Sequence, residues 1–220
     1  MRLLSSLWMA SHIRDSSPLP SDPSMFITRA FSSTPTLSAR VVDHCMGWDE
    51  IVTHLKRENY AAFGRLEKDA DFYDESNARM KEEWDTVADY ILHREFRLPV
   101  YIHPVSQKKH CNRDRDVERC SPQRNLSRYG GFLLRDDGKI YYSFHKNDFS
   151  YALIPPIGHY LLWSVPHPLE LKEVQRVVEE ELKIPCDDYL FFENPPALRS
   201  IPQIYHFQIF TKNFISLPAE

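Results

Sequence analysis

Apolar positions recur at helical spacing twice in the first half of the chain. Trp48, Ile51, Val52 and Leu55 fall at i, i+3, i+4 and i+7, lining one face of a helix, and Phe63 and Leu66 extend the stripe. A longer run sets Tyr73, Met80, Trp84, Val87, Ala88, Ile91 and Leu92 along one stripe with charged residues opposite. It predicts a second helix that stops near Leu98-Pro99, because a residue before proline is pushed out of the α region. The aromatic members of both stripes read as packing residues rather than as a cofactor box. After residue 130 the period shortens to two. Residues 131–135 and 139–144 flank Asp136-Asp137-Gly138, a turn composition that tolerates positive φ and predicts a hairpin. Residues 158–165 form a dense apolar run suited to a central strand. Pro168 fits the opening turn of a helix whose Leu171, Val174, Val177, Val178 and Leu182 face inward. Residues 189–193 and 203–211 predict two further strands. The pattern therefore predicts an α+β domain: two N-terminal helices, then a mostly antiparallel sheet with one packed helix.

At 220 residues the chain has room for one core plus an appendage, and residues 46–215 are expected to form that single domain. Residues 1–45 have a different character. They carry arginine but no lysine, abound in serine, and place apolar residues in two short patches separated by Pro18, Pro20 and Pro23. Such a segment can form a basic amphipathic helix but cannot build a core. It has the composition of a mitochondrial-type leader, and the tract Arg29-Ala30-Phe31-Ser32-Ser33 places the expected cleavage after Phe31. The expected location is thus the mitochondrial matrix, or the cytoplasm if the leader does not function. A disordered tail is the plainer alternative, and a secretory signal fits less well because Ser5 and Ser6 interrupt its apolar run.

The net charge of −4 conceals a division, since Arg2, Arg14, Arg29 and Arg40 outnumber Asp15 and Asp22 in the first 42 residues. The body is correspondingly more acidic. It offers no general attraction to nucleic acid, whose binding leans on neutralised phosphates. No stretch approaches the roughly 20 apolar residues of a membrane-spanning helix. The four cysteines, Cys45, Cys111, Cys120 and Cys186, form no C-x-x-C pair and read as reduced thiols. Residues 103–130 predict a charged, solvated loop. His103, His110, Cys111 and Cys120 invite a metal reading there, but His110 and Cys111 are adjacent, unlike the usual zinc spacings, so no metal and no cofactor are expected. The basic residues of the loop, among them Lys108, Lys109, Arg113 and Arg115, could meet an acidic partner, although a solvated charge run is the default.

Several separated tracts carry a resemblance. Gly47-Trp48-Asp49-Glu50-Ile51, Asp136-Asp137-Gly138-Lys139-Ile140, Asn147-Asp148-Phe149-Ser150-Tyr151, His159-Tyr160-Leu161-Leu162-Trp163, and the ending from Phe192-Glu193-Asn194 through Ser200 to His206-Phe207-Gln208-Ile209 resemble the fungal N-acetylglucosamine-induced protein family. The resemblance covers roughly residues 46–212. It implies a fungal source and a link to amino-sugar response, and it implies no reaction. More distantly, the order of an Asn-Asp tract, a hydrophobic strand beginning with histidine, an amphipathic helix, an asparagine-bearing segment and a final strand with alternating histidines is similar to the histidine-triad fold. There the last strand presents imidazoles to a nucleotide phosphate. The departure from that pattern is Gln208 at the position of the attacking histidine, with Phe210 in place of the third. An amide is neither a nucleophile nor a proton carrier near neutral pH, so covalent nucleotidyl transfer is disfavoured.

The tracts that carry the resemblance concentrate polar residues, and the candidate ligand-binding set is Asn147, Asp148, His159, Asn194, Arg199, Ser200, His206 and Gln208 around one pocket. On this reading the ligand is a phosphorylated sugar or nucleotide, with Arg199 pairing the anion. The plainer readings are turn chemistry for Asn147-Asp148, a loop signal for Asn194 before two prolines, and a satisfied core histidine for His159. A second reading makes the domain a phosphoester hydrolase or transferase with His206 as general acid or base and water as nucleophile. A third makes it a mitochondrial interaction or assembly protein. The ligand readings all require period-two geometry to turn 206 and 208 toward one cavity.

Overall fold

A computed structural model describes residues 39–111, 130–135 and 138–217. The leader through residue 38, most of the charged loop and the Asp136-Asp137 turn lie outside the described residues. Among the described residues four helices and seven strands follow one another: α1 (Trp48–Lys56), α2 (Glu67–Glu83), α3 (Val87–Phe96), β1 (Val100–Ile102), β2 (Lys109–Cys111), β3 (Gly130–Arg135), β4 (Gly138–Lys146), β5 (Gly158–Val165), α4 (Leu171–Leu182), β6 (Tyr189–Phe192) and β7 (Tyr205–Thr211). The fold is α+β. Strands β3-β4-β5-β7-β6 make an antiparallel five-stranded sheet, and β1 and β2 form a separate hairpin.

Both N-terminal helix expectations need correction. The first stripe does not continue to Phe63 and Leu66 as helix, because Glu58 takes a left-handed conformation (φ 53°) and ends it. Phe63 is buried all the same, on extended chain after a short 3-10 turn. The second stripe is two helices rather than one. Trp84 is extended, and Thr86 caps α3 by accepting from the Asp89 N–H, so the apolar spacing carries across a break in the backbone. Residues 40 and 42, inside the segment set apart from sequence as leader, pair with Arg65. Val42 N donates to the Arg65 carbonyl at 2.8 Å and Arg65 N to the Arg40 carbonyl at 2.8 Å. Gly64 permits this close approach, since a Cβ there would lie 2.7 Å from the Arg40 carbonyl oxygen. Within the segment expected as a charged loop, Lys109–Cys111 form β2, which returns against β1.

Period two sorts the sheet into two faces. Tyr142, Phe144, Tyr160, Leu162, Phe207 and Ile209 pack against Val174, Val177, Val178 and Leu182 of α4. Each of those three valines is fully buried, and each such side chain contributes about 1.5–3 kcal/mol relative to exposure. A capping box between Glu170 and Glu173 starts that helix, so Pro168 lies just before the helix rather than in its first turn. On the opposite face Tyr141, Leu161, Trp163 and Val165 meet Ala88, Ile91, Leu92 and Phe96 of α3. Phe192 and Phe210 meet Met46, Ile51 and Phe63 beside them. Every residue of β5 is buried, as a strand covered on both faces must be.

Candidate functional site

The helix-covered face that holds Leu161 and Trp163 is not filled edge to edge. Between α2, α3 and the sheet lies a cavity of about 560 Å³, within the range of small-molecule sites. The register of β5 and β7 sets its floor, pairing Trp163 with His206 and Leu161 with Gln208. His206, Gln208 and Phe210 share that face by strand alternation. His206 packs on the Trp163 ring at a centroid distance of 4.6 Å. Of the eight sequence candidates, Asn147, Asp148, Asn194, Ser200, His206 and Gln208 line this cavity.

The other two do not line it, for definite reasons. His159 lies farther along β5 on the same face, paired with Phe210 and packed on its ring. Its Nδ1 accepts from the Tyr151 backbone N–H at 3.1 Å, which leaves the proton on Nε2, and that N–H donates to Gln208 Oε1 at 2.7 Å. Burial pushes its pKa down to about 3, so the ring is neutral. Arg199 is turned away. It pairs with Glu193 at 2.9 Å and donates to the Asn194 carbonyl at 2.8 Å, so its charge is already matched by a carboxylate.

Within the cavity the polar groups divide into occupied and unoccupied ones. Asn147 closes a turn, its Oδ1 accepting from Phe149 N–H at 2.9 Å, and Asp148 holds Arg94 at 2.6 Å. That ion pair offsets the burial that opposes the Arg94 charge and raises its pKa. Asn194 donates to the Tyr151 hydroxyl. Gln208 presents its amide N–H groups, because its oxygen is taken by His159; that nitrogen makes no hydrogen bond to a described residue. His206 donates from Nδ1 to the Ile204 carbonyl at 3.0 Å, leaving the Nε2 lone pair as an acceptor. Burial, with Arg199 adding to it, pushes its pKa down to about 4.

The residue that distinguishes this cavity is one the sequence reading passed over. Arg65, half-buried in the link before α2, donates from Nε and Nη2 to the single carbonyl of Phe149 at 3.1 and 2.8 Å. Its guanidinium lies 4.1 Å from the Tyr73 ring centroid and 5.4 Å from that of Tyr151. No carboxylate among the described residues forms an ion pair with it, and Nη1 makes no hydrogen bond to them. Burial lowers its pKa from the ordinary guanidinium value, yet arginine stays charged in proteins. Asn77 on α2 also lines the cavity, and its Nδ2 is buried without a hydrogen-bond partner among the described residues. Neither residue had a signal in the sequence. Asn77 sits in a charged helix and Arg65 in a tract counted as helix.

Beside the cavity floor, His145 Nε2 lies 3.1 Å from the Trp163 indole nitrogen and 3.2 Å from Glu95 Oε1. Burial works against the imidazolium, but the Glu95 carboxylate outweighs it and raises the His145 pKa. Its Nδ1 is committed to the Lys146 carbonyl. Both ring nitrogens therefore face protein partners rather than open space.

A family model described as "Protein of unknown function (DUF3605)" matches residues 47–212. The chain belongs to the DUF3605 family. The match spans α1 to β7, so it contains every strand of the cavity floor. No curated protein matches the chain. A solved structure titled "Crystal Structure of HTC1" is similar at a TM-score of 0.48 and 17% identity, covering 77% of this chain and 85% of that one. Neither finding carries the N-acetylglucosamine-induced name or a histidine-triad likeness. For a DUF3605 domain the chemistry has to be argued from the cavity itself.

Proposed function

We propose that this DUF3605 domain binds a small phosphorylated metabolite, a sugar phosphate or a nucleotide, in the cavity between α2, α3 and the sheet. The observation that carries the reading is Arg65, a guanidinium without a carboxylate partner among the described residues, at the wall of a cavity of about 560 Å³. A charge removed from water is costly unless compensated, and a ligand anion would supply the compensation. Arginine's planar fork suits phosphate, and the Phe149 carbonyl and Tyr73 ring hold that fork in place. The acid–base role expected for His206 is not favoured. A ring whose pKa is pushed to about 4 is a neutral acceptor at pH 7.

A thermal-shift screen with sugar phosphates, nucleotides and inorganic phosphate tests the reading. A ligand at a hundred times its dissociation constant adds about 2.7 kcal/mol of stability. Arg65→Gln keeps a donor for Phe149 but removes the charge, and it should abolish that gain. A screen in which no anion stabilises the protein counts against the proposal.

We further infer that the domain acts in mitochondria, supported by the arginine-only, serine-rich composition of the leader. The mature protein should then begin at Ser32, and N-terminal sequencing of protein recovered from the organelle checks it. An intact Met1 terminus there would contradict cleavage after Phe31.

A further inference from the structure

We infer that the paired side chains of His206 and Gln208 read neighbouring hydroxyl groups of the ligand, so that the cavity selects a hydroxylated phosphate monoester over a phosphate ester that carries no alcohol. The inference rests on the anion-binding reading above and narrows it.

Neighbouring backbone groups fix the tautomers of two histidines. In His159, the Tyr151 N–H occupies Nδ1, so the proton sits on Nε2 and must find an acceptor; Gln208 Oε1 is that acceptor at 2.7 Å. The orientation of the Gln208 amide follows, with its oxygen downward and its two N–H donors free of partners among the described residues. In His206 the order is reversed. The Ile204 carbonyl, 3.0 Å from Nδ1, fixes the proton there and leaves Nε2 as a lone pair. One strand thus places a committed donor and a committed acceptor two residues apart on the same cavity wall, a spacing of roughly 6.6 Å along the strand.

A phosphate ester oxygen can satisfy the donor but not the acceptor. An aliphatic chain can satisfy neither. A polyhydroxylated body does both, one hydroxyl oxygen accepting from the amide N–H and the proton of a neighbouring hydroxyl going to the imidazole lone pair. Asn77, whose buried Nδ2 has no partner among the described residues, adds a donor for another oxygen from the helix side. Arg65 supplies the only cavity guanidinium among the described residues that lacks both a carboxylate partner and, unlike Arg40, a full set of carbonyl contacts from Nη1. A ligand that matches this wall has one anionic end and an alcohol-bearing body, chemistry shared by sugar phosphates and by the ribose of a nucleotide.

The test compares esters that carry the same anion. Calorimetric titration of the full chain with glucose 6-phosphate, AMP and ethyl phosphate should give at least one of the first two an affinity about tenfold or more above ethyl phosphate, since stranding a buried polar group costs that much. Which of the two wins identifies the sugar or the nucleotide as the source. His206→Phe, which keeps a ring against Trp163 but has no lone pair, should bring the preference to about twofold or less while ethyl phosphate binding persists. Equal binding of all three esters overturns the hydroxyl reading and leaves the anion reading standing. Binding of none of them overturns both. Independently of any variant or ligand, a long-range proton–nitrogen NMR correlation of the wild-type protein should show His206 protonated on Nδ1 and His159 on Nε2. The opposite tautomer in either ring overturns the inference.

Discussion

Three buried or half-buried histidines sit near one cavity, and their partners give them opposite electrostatic characters. His159 and His206 meet backbone groups and neutral side chains, so burial dominates and drives their pKa values to about 3 and about 4. His145 meets Glu95, which reverses the sign. Linkage turns these shifts into a pH dependence. A histidine whose folded pKa lies below its unfolded value of about 6.5 takes up its proton preferentially in the unfolded chain, so its contribution is complete above about pH 6.5 and is lost as pH falls toward the folded value. His145 contributes in the opposite sense and masks part of the effect. The melting temperature of the wild-type protein should therefore fall between pH 6.5 and pH 4 more steeply than that of His206→Phe, measured side by side. Equal slopes would mean that His206 is protonated in the folded state as readily as in the unfolded one. At this scale the sequence was partly legible. Strand alternation put 206 and 208 on one face without coordinates, but the pairing of Arg199 with Glu193 and the unmatched Arg65 depend on contacts no spacing encodes.

At the scale of elements, the strands of the five-stranded sheet and the fourth helix were legible, β5 as an unbroken apolar run covered on both faces and α4 by its single periodic face, whereas the β1–β2 hairpin was not. The N-terminal helices were harder. An apolar stripe reports which side chains face the core, and it continues unbroken from Trp84 to Val87 although the backbone between them is extended. The device that restarts the helix is Thr86, whose hydroxyl oxygen accepts from Asp89 N–H at 3.1 Å. Thr86→Ala should cost about 1 kcal/mol in denaturant unfolding, the usual value of an N-cap; a change under about 0.3 kcal/mol would mean that packing alone holds α3. The sheet should be far less forgiving. Leu162 is fully buried under α4, and Leu162→Ala should cost about 2–5 kcal/mol by the same measurement. A loss within about 1 kcal/mol would show that the layer collapses around the gap. Because α4 lies on the face opposite the cavity, any ligand affinity should survive this change as long as the protein remains folded.

Across the whole molecule, one sheet separates two kinds of interior. The α4 side is a layer of packed apolar side chains, whereas the α2–α3 side combines aromatic packing with Arg65, Asn77, His206 and Gln208 around open volume. A polar interior of this kind is expensive to maintain for stability alone, which is why we read it as a binding site. The α+β class was legible from periodicity, and the cavity was legible on its strand side. Its helix side was not, because Arg65 and Asn77 come from segments whose composition says only that they are charged or polar. No helix among the described residues is long and apolar enough to cross a membrane. The central claim is that Arg65 receives an anion in this cavity. Isothermal titration of inorganic phosphate into the wild-type chain and into Arg65→Gln tests it most directly. We predict saturable binding of one phosphate per chain that weakens by about tenfold or more in the variant, the scale of one charged hydrogen-bonding group. Undiminished binding by a folded Arg65→Gln protein, or no binding by the wild type, would contradict it.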